Sequence, residues 1–482
     1  MLKNDILFTG GGSMNLPNMK DAKVRTRNEV ERIELNLTPS NKFLHKKYFL
    51  RTYGCQMNEH DSEEIRAILE SLGMTDTEVM EEADVIVLNT CAIRENAHEK
   101  VFGYLGRVKH LKKERPDVIL CLGGCMSEES LVVEEVLKHH PYINIVFGTH
   151  NIHDLQRMLL ETVNNKQDIE VYSKEGEVYE GIKYSRDSKI SAWVNIIYGC
   201  DKFCTYCIVP YTRGKERSRK MEDVIDEVTK LKEEGYQEVT LLGQNVNAYG
   251  KDLNDGTDFA TLLENVAKTN IPRIRFVTSH PWNFTDQMIK VIAKYPNIMP
   301  YIHLPAQSGS SEVLKLMGRQ YTRESYLALF DKIKEIIPNV AVTTDIIVGF
   351  PNETEEQFEE TLSLFDHCQY DLAYTFVYSP RAGTPAAKME DNIPMKEKEE
   401  RLQRLNEKVN YYAHKANEKY LGTIQKVLVD GPSRKNPDTL AGYTETNKVV
   451  NFKGNPDHIG QIVNVKINEI RTWSLDGEEV DE

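Results

Sequence analysis

The sequence predicts an α/β protein of three parts: an N-terminal parallel α/β domain, a partial barrel of six β/α units, and a small C-terminal antiparallel β-barrel. Three observations lead to this prediction. In residues 46–165, apolar strand-like segments lead to a cysteine and then to a charged, helix-periodic stretch. From residue 190, six short apolar segments alternate with longer amphipathic ones. The last ~60 residues hold short alternating segments separated by turn signals.

Length and composition agree with a folded protein of several domains. The chain has 482 residues, which corresponds to about three domains at ~150 residues each. Hydrophobic residues make up 40% and charged residues 28% of it. The net charge of −14 excludes a uniformly basic nucleic-acid binder, although a locally basic groove is compatible with it.

The sequence shows neither a membrane span nor a secretory signal. The longest uninterrupted apolar runs have five residues, far fewer than a spanning helix needs. Residues 1–46 carry charges throughout and never form the apolar segment of a signal peptide. We therefore expect a cytoplasmic protein without a membrane partner, whose eight cysteines are reduced and available to metal.

In the N-terminal domain, three cysteines each follow a predicted strand. The strands are Tyr48–Leu50, Val85–Leu88 and Val118–Leu120, and the cysteines are Cys55, Cys91 and Cys125. Because the carboxyl ends of parallel strands lie at one edge of a sheet, the three thiols are expected to converge there, near the switch point of the sheet. They form either a three-thiolate cluster site or three buried structural cysteines. Cys121, inside a strand segment, and Cys368, near a helix end, are expected to be core residues.

A second trio lies in one short loop. Cys200, Cys204 and Cys207 have the spacing C-x3-C-x2-C. Three thiolates so close in sequence fit one face of a [4Fe–4S] cube and leave one iron open for a small molecule. The alternatives are a zinc knuckle or a buried apolar turn, but no nearby Cys or His completes a set of four zinc ligands.

The barrel and the C-terminal module follow from the remaining pattern. The six barrel strands are predicted at Trp193–Tyr198, Glu238–Gly243, Arg273–Thr278, Tyr301–Leu304, Val342–Gly349 and Tyr374–Tyr378. Six is fewer than the eight strands of a closed barrel. A charged helix is predicted over 396–420, ending at Gly422. Four strands of the small barrel follow at Ile424–Val429, Thr439–Thr444, Lys448–Phe452 and Gln461–Ile467. The polar stretch 161–191 is interpreted as a linker or as outer strands.

The cysteine loop resembles that of the radical S-adenosylmethionine (SAM) superfamily. Both trios together resemble the methylthiotransferases, a branch of it with two [4Fe–4S] clusters. The resemblance rests on Tyr-Gly-Cys-Gln-Met-Asn (53–58), Asn-Thr-Cys-Ala-Ile-Arg-Glu-Asn-Ala (89–97) and the segment 198–219. It implies that Cys200, Cys204 and Cys207 hold the cluster that cleaves SAM, and that Cys55, Cys91 and Cys125 hold the cluster that carries the sulfur. One departure is Asn352, where the family usually has Gly; Asn also adopts the left-handed backbone.

The same resemblance suggests contacts for SAM. Gln244 and Asn245 follow the second barrel strand, where the family binds the SAM amine, although a buried amide is an equal alternative. Asp345 and Gly349 on the fifth strand are candidates for supporting the ribose or adenine of SAM. No catalytic side chain is assigned.

Contacts for RNA are predicted at two places. The run 213–220 carries a net charge of +4 beside the cysteine loop, so Arg213, Lys215, Arg217 and Arg219 are candidates for binding phosphates; a solvated face is the alternative. Arg381, after the sixth strand, is a candidate for a phosphate or carboxylate. The C-terminal module resembles the TRAM domain, in which Arg434, Lys435, Lys448 and Lys453 are expected to hold phosphates. Tyr443 and Phe452 are expected either to stack on bases or to lie in the core.

The expected activity is addition of a methylthio group to C2 of N6-isopentenyladenosine next to the tRNA anticodon. This choice of substrate rests on Gln56, Met57 and Asn58. The alternatives are N6-threonylcarbamoyladenosine in tRNA, a ribosomal protein, or a non-enzymatic iron–sulfur protein. The expected partners are the tRNA anticodon stem-loop, an electron donor such as a flavodoxin or ferredoxin, and a sulfur carrier. The expected boundaries are a flexible extension (1–45), the N-terminal domain (46–165), the barrel (190–413) and the TRAM domain (414–477).

Overall fold

A computed structural model describes residues 32–34, 40–92, 95–162, 168–171, 178–180, 184–434 and 436–481. The chain divides into two compact units. The first contains residues 1–187, 198–203 and 207–217, and the second contains residues 188–197, 204–206 and 218–482. Of the predicted extension 1–45, only 32–34 and 40–45 are among the described residues. Lys435 lies outside them.

The first unit is built on a six-stranded parallel sheet. Its strands, in the order β3-β2-β4-β5-β6-β7, are β2 (Lys47–Thr52), β3 (Thr75–Asp76), β4 (Val85–Thr90), β5 (Ile119–Gly124), β6 (Ile145–Phe147) and β7 (Asp168–Glu170). Every neighbouring pair is parallel. A separate parallel pair joins β1 (Arg32–Glu34) to β8 (Val178–Glu180). The prediction of outer strands in 161–191 is therefore confirmed for β7 and β8.

Helices cover both faces of this sheet. They are α1 (Gln56–Ser71), α2 (Glu95–Glu114), α3 (Ser130–His139) and α4 (Leu155–Glu161), with 3-10 turns at Met80–Glu82, Cys125–Glu128 and Ile152–Asp154. One apolar core includes residues of α2 and α3, and another includes residues of α1 and α4. Because both faces are covered, β4 is buried at all six positions and reads as the continuous apolar run expected of a parallel strand.

The strand order places a topological switch point between β2 and β4. From β2 the chain crosses to β3 on one side, and the strands from β4 onward continue on the other side. Ligands bind in the crevice at the carboxyl ends of strands at such a point. Cys55 directly precedes α1 after β2, and Cys91 directly follows β4. The predicted position of this pair at the sheet edge is confirmed.

The second unit contains the predicted six barrel strands as two three-stranded parallel sheets. These strands are β9 (Ser191–Asn195), β12 (Glu238–Leu242), β13 (Arg273–Phe276), β14 (Tyr301–His303), β15 (Ala341–Val348) and β16 (Leu372–Val377). The sheets have the orders β13-β12-β9 and β14-β15-β16. A parallel bridge from Ile274 to Ile298 connects the third strand to the segment before the fourth. The short strands β10 (Ile197–Tyr198) and β11 (Arg217–Ser218) pair with each other.

Helices on the outer face of these strands bury one large core. They are α6 (Met221–Glu233), α7 (Phe259–Lys268), α8 (Asp286–Lys294), α9 (Ser311–Leu316), α10 (Arg323–Ile336), α11 (Glu355–Cys368) and α12 (Met395–Glu418); α5 (Val209–Thr212) belongs to the first unit. Further 3-10 turns lie at Val246–Ala248, Pro281–Asn283, Ala386–Lys388 and Pro456–His458. Thr285, Thr322 and Thr354 cap α8, α10 and α11 by accepting a backbone N–H of the first turn. These caps explain why each of the three helices begins directly after its threonine.

The C-terminal module is a closed five-stranded barrel. Its strands are β17 (Ile424–Pro432), β18 (Leu440–Thr444), β19 (Val449–Lys453), β20 (Ile462–Ile470) and β21 (Leu475–Glu479). The sequence predicted four antiparallel strands. The fifth, Leu-Asp-Gly-Glu-Glu, was missed because only its first residue is apolar. It closes the barrel by pairing antiparallel with β20 and parallel with β19, so the module is antiparallel except for one pair.

No helix among the described residues is long and apolar enough to cross a membrane.

Candidate functional site

Three thiols of the first unit converge at the carboxyl edge of its sheet. Gly54, with φ +139°, turns the chain before Cys55. A Cβ on Gly54 would lie 2.9 Å from the Cβ of Cys91. Cys125 follows Gly124, whose φ of +93° brings its own Cα so close to Asn89 and Thr90 that a Cβ would lie 2.4 Å from their oxygens. The two glycines thus allow the three strand ends to approach closely.

Asn58 connects two of these thiols. Its Oδ1 lies 3.6 Å from the Sγ of Cys55 and 3.9 Å from the Sγ of Cys125. Its Nδ2 donates to the carbonyl of Thr90 at 2.8 Å, and Asn89 donates to the Asn58 carbonyl at 2.8 Å. The side chain of Asn58 is fully buried, so this network fixes the turn that carries Cys55 against the strand that carries Cys91.

Arg213 brings a positive charge to the same site. Its Nε donates to the Sγ of Cys125 at 3.1 Å, and its Nη2 lies 2.5 Å from Oδ2 of Asp61. Burial alone would lower the pKa of Arg213, but Asp61 and the neighbouring thiols outweigh it and raise that pKa well above its usual value. Burial raises the pKa of the Cys125 thiol, and Arg213 opposes this rise. A metal ligand here must bind as a thiolate, so binding of metal releases the proton.

The loop from Cys200 to Cys207 is held by contacts within each unit. In the first unit, the Cys200 N–H donates to the Gly214 carbonyl at 3.0 Å. In the second unit, the Thr205 N–H donates to the Met317 carbonyl at 2.9 Å. Cys200 and Cys204 are buried, and Cys207 is partly exposed. The backbone of Phe203, with φ +45°, turns the loop between the first two cysteines.

A second arginine, which is partly buried, contacts this loop. Nη1 of Arg319 lies 3.4 Å from the Sγ of Cys204 and 2.7 Å from Nε2 of His280. Its Nη2 donates to the Pro305 carbonyl at 3.3 Å. Among the described residues, Arg319 forms no ion pair with a carboxylate, unlike Arg213. Each cysteine trio therefore has one thiol that accepts a hydrogen bond from an arginine, buried for Arg213 and partly buried for Arg319.

The donor sets fit iron–sulfur clusters better than single metal ions. Among the residues that the structure describes, no three Cys, His, Asp or Glu side chains converge closely enough to enclose one ion. The thiolates on a cuboidal cluster bind different irons, so they stand farther apart. The convergence of the first trio and the spacing of the second are compatible with the predicted cluster ligands.

Cys121 and Cys368 lie in the core, as predicted. Cys121 is fully buried within β5, and burial raises the pKa of its thiol. Cys368 ends α11 with 3% exposure, and burial raises its pKa to about 12.

The predicted SAM contacts lie at or near the carboxyl ends of barrel strands. Gln244 is partly exposed and Asn245 is buried, both just after β12. Asp345 lies within β15, and its Oδ2 is 3.4 Å from Nε2 of His303 on the neighbouring strand. Nδ1 of His303 lies 2.9 Å from the Thr343 hydroxyl. The structure thus places a His–Asp pair on two adjacent strands, and the sequence had left His303 out of the candidates.

Gly349 turns the chain after β15 with φ +68°. Its N–H donates to Oε2 of Glu353 at 2.7 Å, and a Cβ there would lie 2.5 Å from the Cγ of Lys398. The close approach that was predicted for SAM is thus made by the Lys398 side chain. Asn352 has φ +68°, so the left-handed backbone expected for Asn in place of Gly is observed.

The basic run 213–220 does not form an exposed surface. Arg213, Arg217 and Arg219 are only 4–6% exposed. Arg213 pairs with Asp61, Arg217 lies over the Tyr198 ring, and Arg219 pairs with Glu227 at 2.7 Å. These arginines bind partners inside the protein, because burial of a guanidinium requires a compensating acceptor or ring. A solvated face and a phosphate-binding face are both inconsistent with this burial, and only Lys215, which is partly exposed, keeps the predicted role.

The remaining RNA candidates divide into buried and exposed side chains. Lys448 is mostly buried and lies 3.3 Å from Asp371, and Phe452 lies in the barrel core. Lys453 is exposed, and Tyr443 is 38% exposed. Arg381 follows β16 and is partly exposed. Of the two rings, only Tyr443 is accessible to a base, so stacking stays a prediction for it alone, and Lys448 serves an internal ion pair.

Four residues act at these sites in ways that the sequence did not predict. Asn58 and Asp61 lie on the first turns of α1, and the arginines that contact thiols are Arg213 and Arg319. Asn58 and Asp61 are three residues apart and therefore share one helix face. A buried polar stripe on a helix that begins at a cysteine is the one pattern that would have indicated them.

Three regions of the chain match known families. Residues 47–148 match an uncharacterized protein family, UPF0004, residues 194–365 match the radical SAM superfamily, and residues 418–480 match the TRAM domain. The first region contains Cys55, Cys91 and Cys125, and the second contains the loop from Cys200 to Cys207. The third coincides with the closed C-terminal barrel.

Curated relatives are similar over nearly the whole chain. A protein of Bacillus licheniformis named tRNA-2-methylthio-N(6)-dimethylallyladenosine synthase is 58% identical over 472 residues, covering 97% of this chain and 92% of that one. The protein of the same name from Bacillus subtilis is 58% identical over 471 residues, with the same coverage. That of Staphylococcus epidermidis is 58% identical over 467 residues, covering 96% of this chain and 91% of that one.

Solved structures share the fold at low sequence identity. The radical SAM methyltransferase TsrM from Kitasatospora setae is 13% identical with a TM-score of 0.51, covering 71% of this chain and 77% of that one. The cobalamin-dependent radical SAM enzyme OxsB is 13% identical with a TM-score of 0.50, covering 77% of this chain and 56% of that one. These two likenesses concern the fold alone. From its near full-length relatives, the chain belongs to the family of the tRNA-2-methylthio-N(6)-dimethylallyladenosine synthases and is a radical SAM tRNA methylthiotransferase.

Proposed function

We propose that the protein adds a methylthio group to C2 of N6-isopentenyladenosine next to the anticodon of tRNA, using SAM and two [4Fe–4S] clusters. The observation that carries this proposal is the convergence of Cys55, Cys91 and Cys125 at the switch point of the first unit. A radical SAM enzyme needs one three-cysteine loop, and this chain has a second three-thiol site. The name of the 58% identical relatives supplies the substrate.

The clusters would supply electron transfer to SAM and a sulfur atom, chemistry that no amino-acid side chain provides. Cys200, Cys204 and Cys207 would hold the first cluster and leave one iron for SAM. Cys55, Cys91 and Cys125 would hold the second and leave one iron for sulfur. The C2–H bond of an adenine ring is not acidic, so radical cleavage is the route that this equipment supports.

The protein's own side chains would bind and orient the reactants. Gln244 and Asn245 directly follow β12, the first partly exposed and the second buried, and Asp345 within β15 is partly exposed. These residues offer amide and carboxylate groups to the polar parts of SAM. Gly349 forms the turn after β15, and the side chain of Lys398 packs directly against it. Close packing of this kind helps to exclude water from a radical reaction.

RNA would be bound by exposed groups rather than by the buried arginines. The candidates on the TRAM barrel are Lys453, Tyr443 and Arg434. Lys215 follows the cysteine loop in the sequence, and Arg381 follows β16. The target base must leave the anticodon-loop stack before its C2 atom can be reached. An electron donor of the flavodoxin or ferredoxin class and a sulfur carrier complete the proposed partners, and the cytoplasm is the proposed location.

The proposal is tested by reconstituting the protein anaerobically and incubating it with SAM, reductant and tRNA that carries N6-isopentenyladenosine. Iron content should approach about eight atoms per chain, as two four-iron clusters require. Mass analysis of the nucleosides should show a mass gain that corresponds to a methylthio group on isopentenyladenosine. If only threonylcarbamoyladenosine or a ribosomal protein gains the group, the substrate is wrong. About four irons per chain would contradict the second cluster.

A further inference from the structure

We propose that Arg213 and Asp61 are positioning residues that set the reduction potential of the cluster held by Cys55, Cys91 and Cys125. The two side chains act with opposite sign on the thiolate of Cys125. This inference deepens the proposed function, since it requires the second cluster. It gives a task to a residue that the sequence suggested for RNA binding.

The first argument is the geometry of the guanidinium. Arg213 directs Nε at the Sγ of Cys125, at 3.1 Å, and directs its other two nitrogens at the carboxylate of Asp61, at 2.5 and 3.4 Å. The Arg213 and Asp61 side chains are 5% and 7% exposed. A third acceptor, Oδ1 of Asn58, lies 3.4 Å from Nη2. Each of the three guanidinium nitrogens therefore contacts a buried group at the site.

The second argument is how the backbone holds this arginine. Arg213 directly follows the short helix α5, and its N–H donates to the Val209 carbonyl at 2.8 Å. Ile208 and Tyr211, on the same segment, pack in a small apolar cluster with Ala92 and Cys125. The segment is thus fixed against the residues that flank the thiols, so the charge has a defined place relative to Cys125.

The third argument is electrostatic. Reduction of a cluster adds one electron, and a nearby positive charge or an N–H···S hydrogen bond stabilises the added charge. Arg213 supplies both, whereas Asp61 supplies a negative charge that opposes them. In a buried site these interactions are screened far less than at a surface. Removing Arg213 should therefore lower the potential, and removing the charge of Asp61 should raise it.

The same segment also relates the two cysteine sets. Arg213 stands six residues after Cys207 in the sequence, and both belong to the first unit. The segment 207–213 therefore begins at Cys207, a proposed ligand of the first cluster. It ends at Arg213, whose charge faces Cys125, a proposed ligand of the second cluster. A change in the position of this segment would alter the environment of Cys125.

The test uses the full chain with Cys200, Cys204 and Cys207 all changed to Ala, so that only the second cluster is loaded. Its potential is measured by a redox titration followed by electron paramagnetic resonance. In this background, Arg213→Gln should lower the potential and Asp61→Asn should raise it. The variant with both changes should return toward the parent value. Arg213→Lys, which keeps a charge but loses the planar fork, should shift the potential less than Arg213→Gln.

Arg157→Gln is the matched control. Arg157 also lies in the first unit and pairs with Glu170 at 2.6 Å, and none of its described partners is a cysteine. This control should leave the potential unchanged. A purely structural role would lower iron content in both single variants without opposite shifts in potential.

Shifts of the same sign, or no shift while iron is retained, would overturn the inference. If Arg213→Gln fails to hold iron, Asp61→Asn decides alone: a raised potential supports the inference, and a lowered or unchanged one overturns it. A parent chain that binds no iron after loss of the three loop cysteines would contradict the second cluster itself. That result would remove the proposed function at this site and the inference with it.

Discussion

Cys121 and Cys125 show how one residue type takes two roles within one strand and its end. Cys121 lies in the middle of β5, where both faces are covered, and its side chain packs in the core. Cys125 stands one residue beyond the strand, after a glycine with φ +93°, and faces Cys55, Asn58 and Arg213. Both thiols are almost completely inaccessible, so burial does not distinguish them. What distinguishes them is position, in the middle of β5 for Cys121 and just after its end for Cys125.

At the residue scale, Cys55→Ala should abolish methylthiolation while cleavage of SAM continues. The change removes one proposed ligand of the second cluster and none of the first, so iron should fall by about four atoms per chain. Iron analysis and detection of 5′-deoxyadenosine check both statements. Loss of SAM cleavage as well would indicate that the first unit has only a structural role in the enzyme.

The control for this prediction is Cys121→Ala. It should leave iron content and product unchanged, and it should cost about 1 kcal/mol of unfolding free energy, since it removes one buried atom from a packed core. A fall in iron in this variant would contradict the division between ligand and core cysteines.

At the scale of elements, the strand ends decide the chemistry. The strands β2, β4 and β5 end at the same edge because they are parallel neighbours in register, Thr52 with Asn89 and Thr90 with Gly124. The close approach of their ends depends on residues without a side chain. Gly124 adopts a φ of +93° and ψ of −169°, a conformation that is essentially restricted to glycine.

Gly124→Ala should therefore disrupt the second cluster site. The new Cβ would lie 2.4 Å from Asn89 Oδ1 and from the Thr90 carbonyl. Backbone strain and overpacking together should cost about 2–5 kcal/mol. Urea unfolding measures this cost, and the iron bound by a chain that lacks the three loop cysteines should fall, because Cys125 is the next residue.

Gly106→Ala provides the comparison. Gly106 lies exposed within α2, and a Cβ there meets nothing within 4 Å. Replacement should stabilise the chain by up to about 1 kcal/mol, since Ala favours the helix. Equal destabilisation by both changes would show that the close approach at Gly124 does not determine the site.

At the scale of the whole molecule, the TRAM barrel is tied to the barrel strands of its own unit through buried arginines. Arg273 on β13 is 1% exposed and donates to the backbone carbonyls of Tyr443 and Lys426, at 2.8 and 2.9 Å. Arg275 donates to the carbonyls of Thr444 and Glu445 and pairs with Glu238. Burial lowers the pKa of Arg273 to about 10. The TRAM domain therefore contributes to folding of the second unit.

Arg273→Met should destabilise the protein although it lies far in sequence from every proposed ligand. Two partly buried carbonyls would lose their donor, at roughly 1–3 kcal/mol for each group left unsatisfied, so we expect roughly 2–6 kcal/mol in urea unfolding. Arg404→Met, which removes an exposed helix residue paired with Glu355 and Glu359, should cost less than about 1 kcal/mol. Similar losses would contradict the structural role of Arg273.

Much of the fold could be predicted because it is encoded in consecutive residues. Five of the six barrel strands lie within two residues of their predicted start and end, the first ends three residues before its predicted end, and the helix predicted over 396–420 is observed at Met395–Glu418. The failures have one cause. β21 has little apolar alternation and is a strand only because β19 and β20 pair with it. In the sequence, Lys448 and Phe452 are both candidates for binding RNA. Only the structure shows that Lys448 pairs with Asp371 and that Phe452 packs in the barrel core.

The sequence by itself determined the six candidate cluster ligands: the local spacing indicated Cys200, Cys204 and Cys207, and the family resemblance of short motifs implied Cys55, Cys91 and Cys125. Only the tertiary structure decided what the charged residues do. Arg213 and Asp61 are 152 residues apart, and Arg213 and Arg219 of the basic run form buried ion pairs instead of an RNA surface. A buried charge must be compensated wherever the chain brings an acceptor, and that place is set by packing rather than by neighbouring residues.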